Sequence, residues 1–232
     1  MSIRRRQILL AGPVLLSLQA CSTPPVQPAP AQPTEPVRPA QPVQPAPAAS
    51  SDEVAVYLVP LGDFPQRLAV NLAKGLQQAL GVRIETTAPL EPGRLTPLPG
   101  TNQYESEALL VAGRVASASF AGIPEASYCL FLTVRPINSA AAASRYQVSA
   151  HNRGLNSSVV SLAGLLEPGQ DRPVFTERTA WRLFKMSKRA IGEMHLGWSR
   201  STEPTDLMYA PILSLEDVDR LGYEHAAQPG AH

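Results

Sequence analysis

Apolar positions fall into their first clear order at residues 54–59, a continuous run rich in β-branched side chains. Such a run predicts a strand buried on both faces. Leu68, Leu72, Leu76 and Leu80 then recur every fourth residue, with Ala69, Ala73 and Ala79 beside them. That period predicts an amphipathic helix ending near Gly81. Residues 82–86 return as a strand, and strand, helix and strand in that order imply a right-handed crossover and a parallel pair. A second helix is expected over 102–111 and a core strand over 127–134. An alternating edge strand centred on Val148 is expected over 146–150, and a further short strand over 158–162. Residues 173–196 predict the longest helix, with Trp181, Phe184, Ile191 and Met194 on its inner face and Gly197 closing it as a C′ glycine. Ser214 and Asp217 have the spacing of a capping box opening a short helix over 214–221. The pattern as a whole is that of an α+β (mixed α/β) domain over 51–232.

Composition changes the picture mainly at the N-terminus. Arg4, Arg5 and Arg6 precede an apolar run over 8–18. That run is well short of the roughly twenty residues that span a bilayer, so residues 1–20 read as a cleaved signal peptide. The consecutive arginines also fit a twin-arginine export signal. Leu18, Gln19, Ala20 and Cys21 resemble a bacterial lipobox, which implies cleavage before Cys21 and its acylation, palmitate included. Several acyl chains together give stable attachment. Most of the Pro in residues 22–50 alternates with Ala, Gln and Val, a composition that buries no core. At about 3.1 Å per residue in a polyproline II form this linker reaches roughly 90 Å. The expected location is therefore the bacterial cell envelope, anchored by lipid, with Ser22 after the cysteine favouring the periplasmic face of an outer membrane. Basic and acidic residues number 20 and 19, which leaves no field to recruit nucleic acid. With Cys21 acylated, Cys129 has no partner for a disulfide and reads as a small buried apolar residue.

The segment over 189–209 carries the chemistry. Laid on the pattern H-E-x-x-H-x-x-G-x-x-H with its following methionine turn, Gly197 falls on the glycine and Leu207, Met208 and Tyr209 on the turn. Together with segments 57–62, 103–110, 159–162 and 213–217, in that order, these residues resemble an archaemetzincin, a branch of the metzincin zinc peptidases. The likeness covers residues 54 to about 222. It implies a twisted mixed sheet over two long helices, with an active-site-type helix and a Met-turn beneath a cleft. It also implies structural roles for Gly197 and Met208.

Zinc chemistry does not carry over with the frame. The three histidine positions hold Ala190, Met194 and Arg200, and the position of the catalytic glutamate holds Ile191. Shifting the register to use His195 or Glu193 supplies no three-histidine set. Those two residues also lie about 200° apart around a helix. Met194 and Ile191 read as apolar filling of a vacated metal pocket, and Arg200 as a cation admitted in place of the ion. No catalytic residue and no cofactor is expected, and His225 and His232 fall in a polar tail. The expected function is a membrane-tethered, catalytically inactive peptidase-like domain that binds a peptide or envelope protein. Its edge strand at Val148 would pair with the ligand, and Glu193, His195 and Arg200 would form the rim. The alternatives are a living zinc metallopeptidase with a non-standard site using His151, His195 or Asp206, and an envelope scaffolding lipoprotein.

Overall fold

A computed structural model of the chain describes residues 53–226, apart from 63, 121, 142–145 and 168–173. The signal peptide, Cys21, the linker, Pro173 and His232 lie outside the described residues. The elements in order are β1 (Val56–Pro60), α1 (Gln66–Leu80), β2 (Ile84–Thr86), β3 (Tyr104–Glu105), α2 (Ser106–Ala118), β4 (Tyr128–Thr133), β5 (Ile137–Asn138), β6 (Ser149–Asn152), β7 (Ser157–Ser161), α3 (Glu177–Met194) and α4 (Leu215–Arg220). Five strands form one sheet in the order β2-β1-β4-β7-β6, parallel except for the antiparallel edge strand β6. Strands β3 and β5 pair as a separate parallel ribbon.

The continuous apolar runs work because both faces of the sheet are covered. Leu58, Leu130 and Val160 meet α1 and α3 through Leu76, Leu183 and Met186. On the opposite face Val59, Phe131 and Val159 meet α2 through Leu109 and Leu110. α2 approaches closely there, since a Cβ at Gly113 would stand 2.9 Å from the Phe131 ring. Gly81 closes α1 with φ 68°, as its position predicted.

Three expectations are corrected. The second helix runs over Ser106–Ala118 instead of 102–111, because Tyr104 and Glu105 are drawn into pairing with Ile137 and Asn138. Trp181 is not on the inner face of α3. It is 46% exposed, and Leu183, Met186, Ala190 and Ile191 form the buried stripe. The edge strand is Ser149–Asn152, and Val148 precedes it at 3% exposure, its side chain under Gly164 and its carbonyl accepting the Ser161 N–H at 2.8 Å.

From Arg182 to Glu193, α3 is buried on nearly every side. Its polar face carries Arg182, Lys185, Lys188 and Arg189, and later chain segments roof these cations over. Arg182 donates to both Asp219 oxygens at 2.6 and 2.7 Å. Lys188 donates to the Tyr223 carbonyl at 2.7 Å, and Arg189 to the Leu207 carbonyl at 2.9 Å. Each buried cation thus keeps acceptors in place of water. Ser214 caps α4 in the expected capping box with Asp217.

Candidate functional site

Strand β6 sets one wall of a cleft. Val148 and Ser161 stand opposite each other and are joined by the Ser161 N–H. Pairs alternate along an antiparallel ladder. Ala150 and Asn152 therefore face β7, while the backbone groups of Ser149 and His151 point to the open edge. That edge borders a cleft of about 550 Å³, lined among others by Ser149, His151, Arg153, Glu193, Met194 and Arg200.

A chain of polar side chains runs into this cleft from the core. Tyr128 is fully buried, and burial pushes its hydroxyl pKa up, so it remains a phenol. It donates to Ser158 Oγ at 2.9 Å, and Ser158 Oγ lies 2.8 Å from His151 Nδ1. Satisfying all three groups requires Ser158 to donate to Nδ1, which leaves the proton of neutral His151 on Nε2. Burial pushes the His151 pKa down to about 4, and Arg189, Arg200 and Arg153 act in the same direction against the opposing pull of Glu193. Glu193 Oε2 lies 4.0 Å from His151 Nε2, is buried, and has no hydrogen-bond partner among the described residues. Glu193 Oε1 accepts from Arg200 Nε and Nη2 at 3.2 and 2.9 Å. Burial by itself would raise the Glu193 carboxyl. The Arg200 hydrogen bond, with the His151 and Arg189 charges, brings it below its ordinary value instead.

Of the expected rim residues, Glu193 and Arg200 come together and Met194 lies beside them. His195 does not join them, because its ring stacks on Tyr128 with centroids 6.1 Å apart. Val148 is core and takes no place at the open edge. Ala190 and Ile191 are sealed into the hydrophobic core. Residues at the zinc-ligand positions therefore do not fit a zinc ion, which needs three or four neutral imidazoles, thiolates or carboxylates converging. Here one imidazole and one carboxylate stand among Arg153, Arg189 and Arg200, whose field opposes a dication. Among the described residues, no three His, Cys, Asp or Glu side chains gather as a ligand set.

The turn beneath the site is held from two directions. Gly197 adopts φ 70°, and the Trp198 N–H reaches back to the Gly192 carbonyl at 2.8 Å. Met208 is fully buried, its N–H donates to Asp206 Oδ1 at 2.6 Å, and its carbonyl accepts from Ser201, next to Arg200. The Asp206 carboxylate also accepts from His225 at 2.9 Å and from the Ala226 N–H. His225 is thus a half-buried tie between the segment after α4 and the turn, not part of a polar tail.

A mostly parallel sheet with an antiparallel edge strand beside a long helix, a glycine turn and a buried methionine turn has a known parallel. The fold is archaemetzincin-like. A zinc-dependent peptidase from Methanocorpusculum labreanum superposes with a TM-score of 0.60 at 18% identity, covering 74% of this chain and 96% of that one. Archaemetzincin from Archaeoglobus fulgidus, complexed with malonate, gives 0.57 at 19% identity over 74% and 95%. Archaemetzincin from Methanopyrus kandleri gives 0.57 at 18% identity over 78% and 93%. No family profile and no curated protein sequence matches the chain. At these identities the likeness speaks for the archaemetzincin-like fold alone. Four members of the site escaped sequence reasoning: Tyr128 and Ser158 as support for His151, Gly192 as the seat of Trp198, and Arg153 on the border of the cleft. The first two sit inside apolar strands, and only strand register brings them to His151.

Proposed function

We propose that this chain is a lipid-anchored envelope protein whose archaemetzincin-like domain binds an extended peptide, offered by another envelope protein, without hydrolysing it. The observation that carries the reading is the open edge of β6. The outward backbone groups of Ser149 and His151 border the cleft, while the corresponding zinc-ligand positions are Ala190, Met194 and Arg200. An added strand would pair with that edge through main-chain hydrogen bonds. Acylation of Cys21 and the Pro-rich linker would hold the domain away from the membrane.

Two measurements on the full chain test this. The chain, produced with zinc supplied and then dialysed, should carry no stoichiometric metal. About one zinc per chain, removable by chelator, would return it to the peptidases. A Ser149→Pro variant should fold, since its lost N–H faces outward, yet lose binding of a fluorescein-labelled pool of random nonapeptides. Unchanged binding by that variant would remove β6 from the reading.

A further inference from the structure

The polar groups bordering the cleft are unequal in what they have left to offer a ligand. Each of its carboxylates has one oxygen engaged within the fold. Glu105 Oε2 accepts the Ala140 N–H at 2.7 Å, Glu107 Oε1 accepts from Asn152 Nδ2 at 2.6 Å, and Glu193 Oε1 accepts twice from Arg200. The second oxygen of Glu193 is covered and points toward His151.

Donors, by contrast, remain available. The Arg200 side chain is 61% exposed and spends Nε and Nη2 on one oxygen, leaving Nη1 unspent on Glu193. Arg153 is exposed and makes no side-chain hydrogen bond or ion pair to another described residue. His151, with Ser158 donating to Nδ1, carries its proton on Nε2. Two guanidinium groups and an imidazole N–H thus border the same open strand edge. Guanidinium forks match carboxylate geometry and bind it more strongly than neutral acceptors.

We infer that the cleft recognises a carboxylate on the bound peptide, held by Arg153 and Arg200 with the His151 Nε2–H beside them. This rests on the peptide-binding reading and adds to it the charge of the ligand. A free C-terminus and an Asp or Glu side chain supply the same group. The strand edge carries the backbone of the ligand, and the arginines select for the anion.

The test uses the purified full chain and three nonapeptide pools labelled with an uncharged, carboxylate-free BODIPY dye: peptides with free C-termini and no other charge, the same peptides amidated, and amidated peptides with one central Glu. Fluorescence anisotropy should show at least one carboxylate-bearing pool binding about tenfold more tightly than the neutral amides, the scale of one charged hydrogen bond. Whichever of those two pools gains identifies the source of the carboxylate. Arg153→Gln, which breaks no side-chain hydrogen bond or ion pair among the described residues, should shrink the gain to about twofold or less. Equal binding of all three pools, abolished by Ser149→Pro, would overturn the carboxylate inference and leave peptide binding standing. A preference that survives Arg153→Gln undiminished would overturn the assigned site. Binding of none of the pools would overturn both readings.

Discussion

Arg200 places Nε and Nη2 on a single oxygen of Glu193, at 3.2 and 2.9 Å, joining the loop after the helix to its last turn. The loop residue occupies a zinc-ligand position of the related pattern, and its partner stands one place before another. The ion pair thus ties the loop to the helix at the border of the cleft.

That pairing predicts the behaviour of Arg200→Ala. The Glu193 carboxyl lies below its ordinary value, so the pair adds stability above the unfolded carboxyl range, and this is lost as pH falls. Without Arg200, the burial that raises the carboxyl meets less opposition and its pKa should rise. At pH 7 the variant should be less stable by about 1 kcal/mol, a modest figure because the arginine is largely exposed. The deficit should shrink as the solution is acidified below the carboxyl range. Urea unfolding at several pH values, with a carboxyl titration by NMR, checks both effects.

His151 sets a second pH dependence, of larger reach. Its folded pKa, near 4, lies below the ordinary value of 6.5, so the unfolded chain binds the proton first. The stability this neutral imidazole contributes is complete above pH 6.5 and is lost as pH falls toward about 4. The loss is at most about 1.4 kcal/mol per pH unit. His151→Gln keeps an amide near Ser158 without a titratable ring, and its melting temperature should vary less than that of the native chain between pH 7 and pH 4.5. Equal variation would remove His151 from the acid response.

Gly192 looks like a weak point of α3 and is the reverse. Glycine within a helix costs about 1 kcal/mol relative to alanine, so Gly192→Ala would ordinarily stabilise. A Cβ there would lie 2.0 Å from the Trp198 indole, which packs directly on the glycine. The substitution should therefore destabilise by about 2 kcal/mol and alter the Trp198 fluorescence. Combining it with Trp198→Ala should relieve most of the added penalty, which a double-mutant cycle measures.

The anchor is open to a direct chemical check. Metabolic labelling of cells with a palmitate analogue should mark the native chain and leave Cys21→Ser unmarked, with the variant released from the membrane fraction. A membrane-bound, unlabelled native chain would remove the lipoprotein reading.

Local regularities in the sequence were enough for the elements that depend on them. The leucine period of α1, the apolar runs of β1, β4 and β7, the Gly81 and Gly197 turns and the Ser214 capping box are all present. Each follows from backbone preference and burial periodicity within a few neighbouring residues. The glycine and methionine frame also led to the archaemetzincin-like fold, because turn geometry constrains residue type at single positions.

Tertiary structure decided what depends on residues far apart in the chain. The start of α2 moved because a distant ribbon strand captured Tyr104 and Glu105, and the basic face of α3 is buried because later segments supply its acceptors. His151 joined Glu193 only through the β6–β7 register and the packing of α3 against that edge, while His195, two residues along, turned to Tyr128. A sequence specifies which groups can donate or accept. Which of them are used up inside the fold, and which remain for a ligand, depends on long-range packing, and that packing left Arg153 and the edge of β6 open.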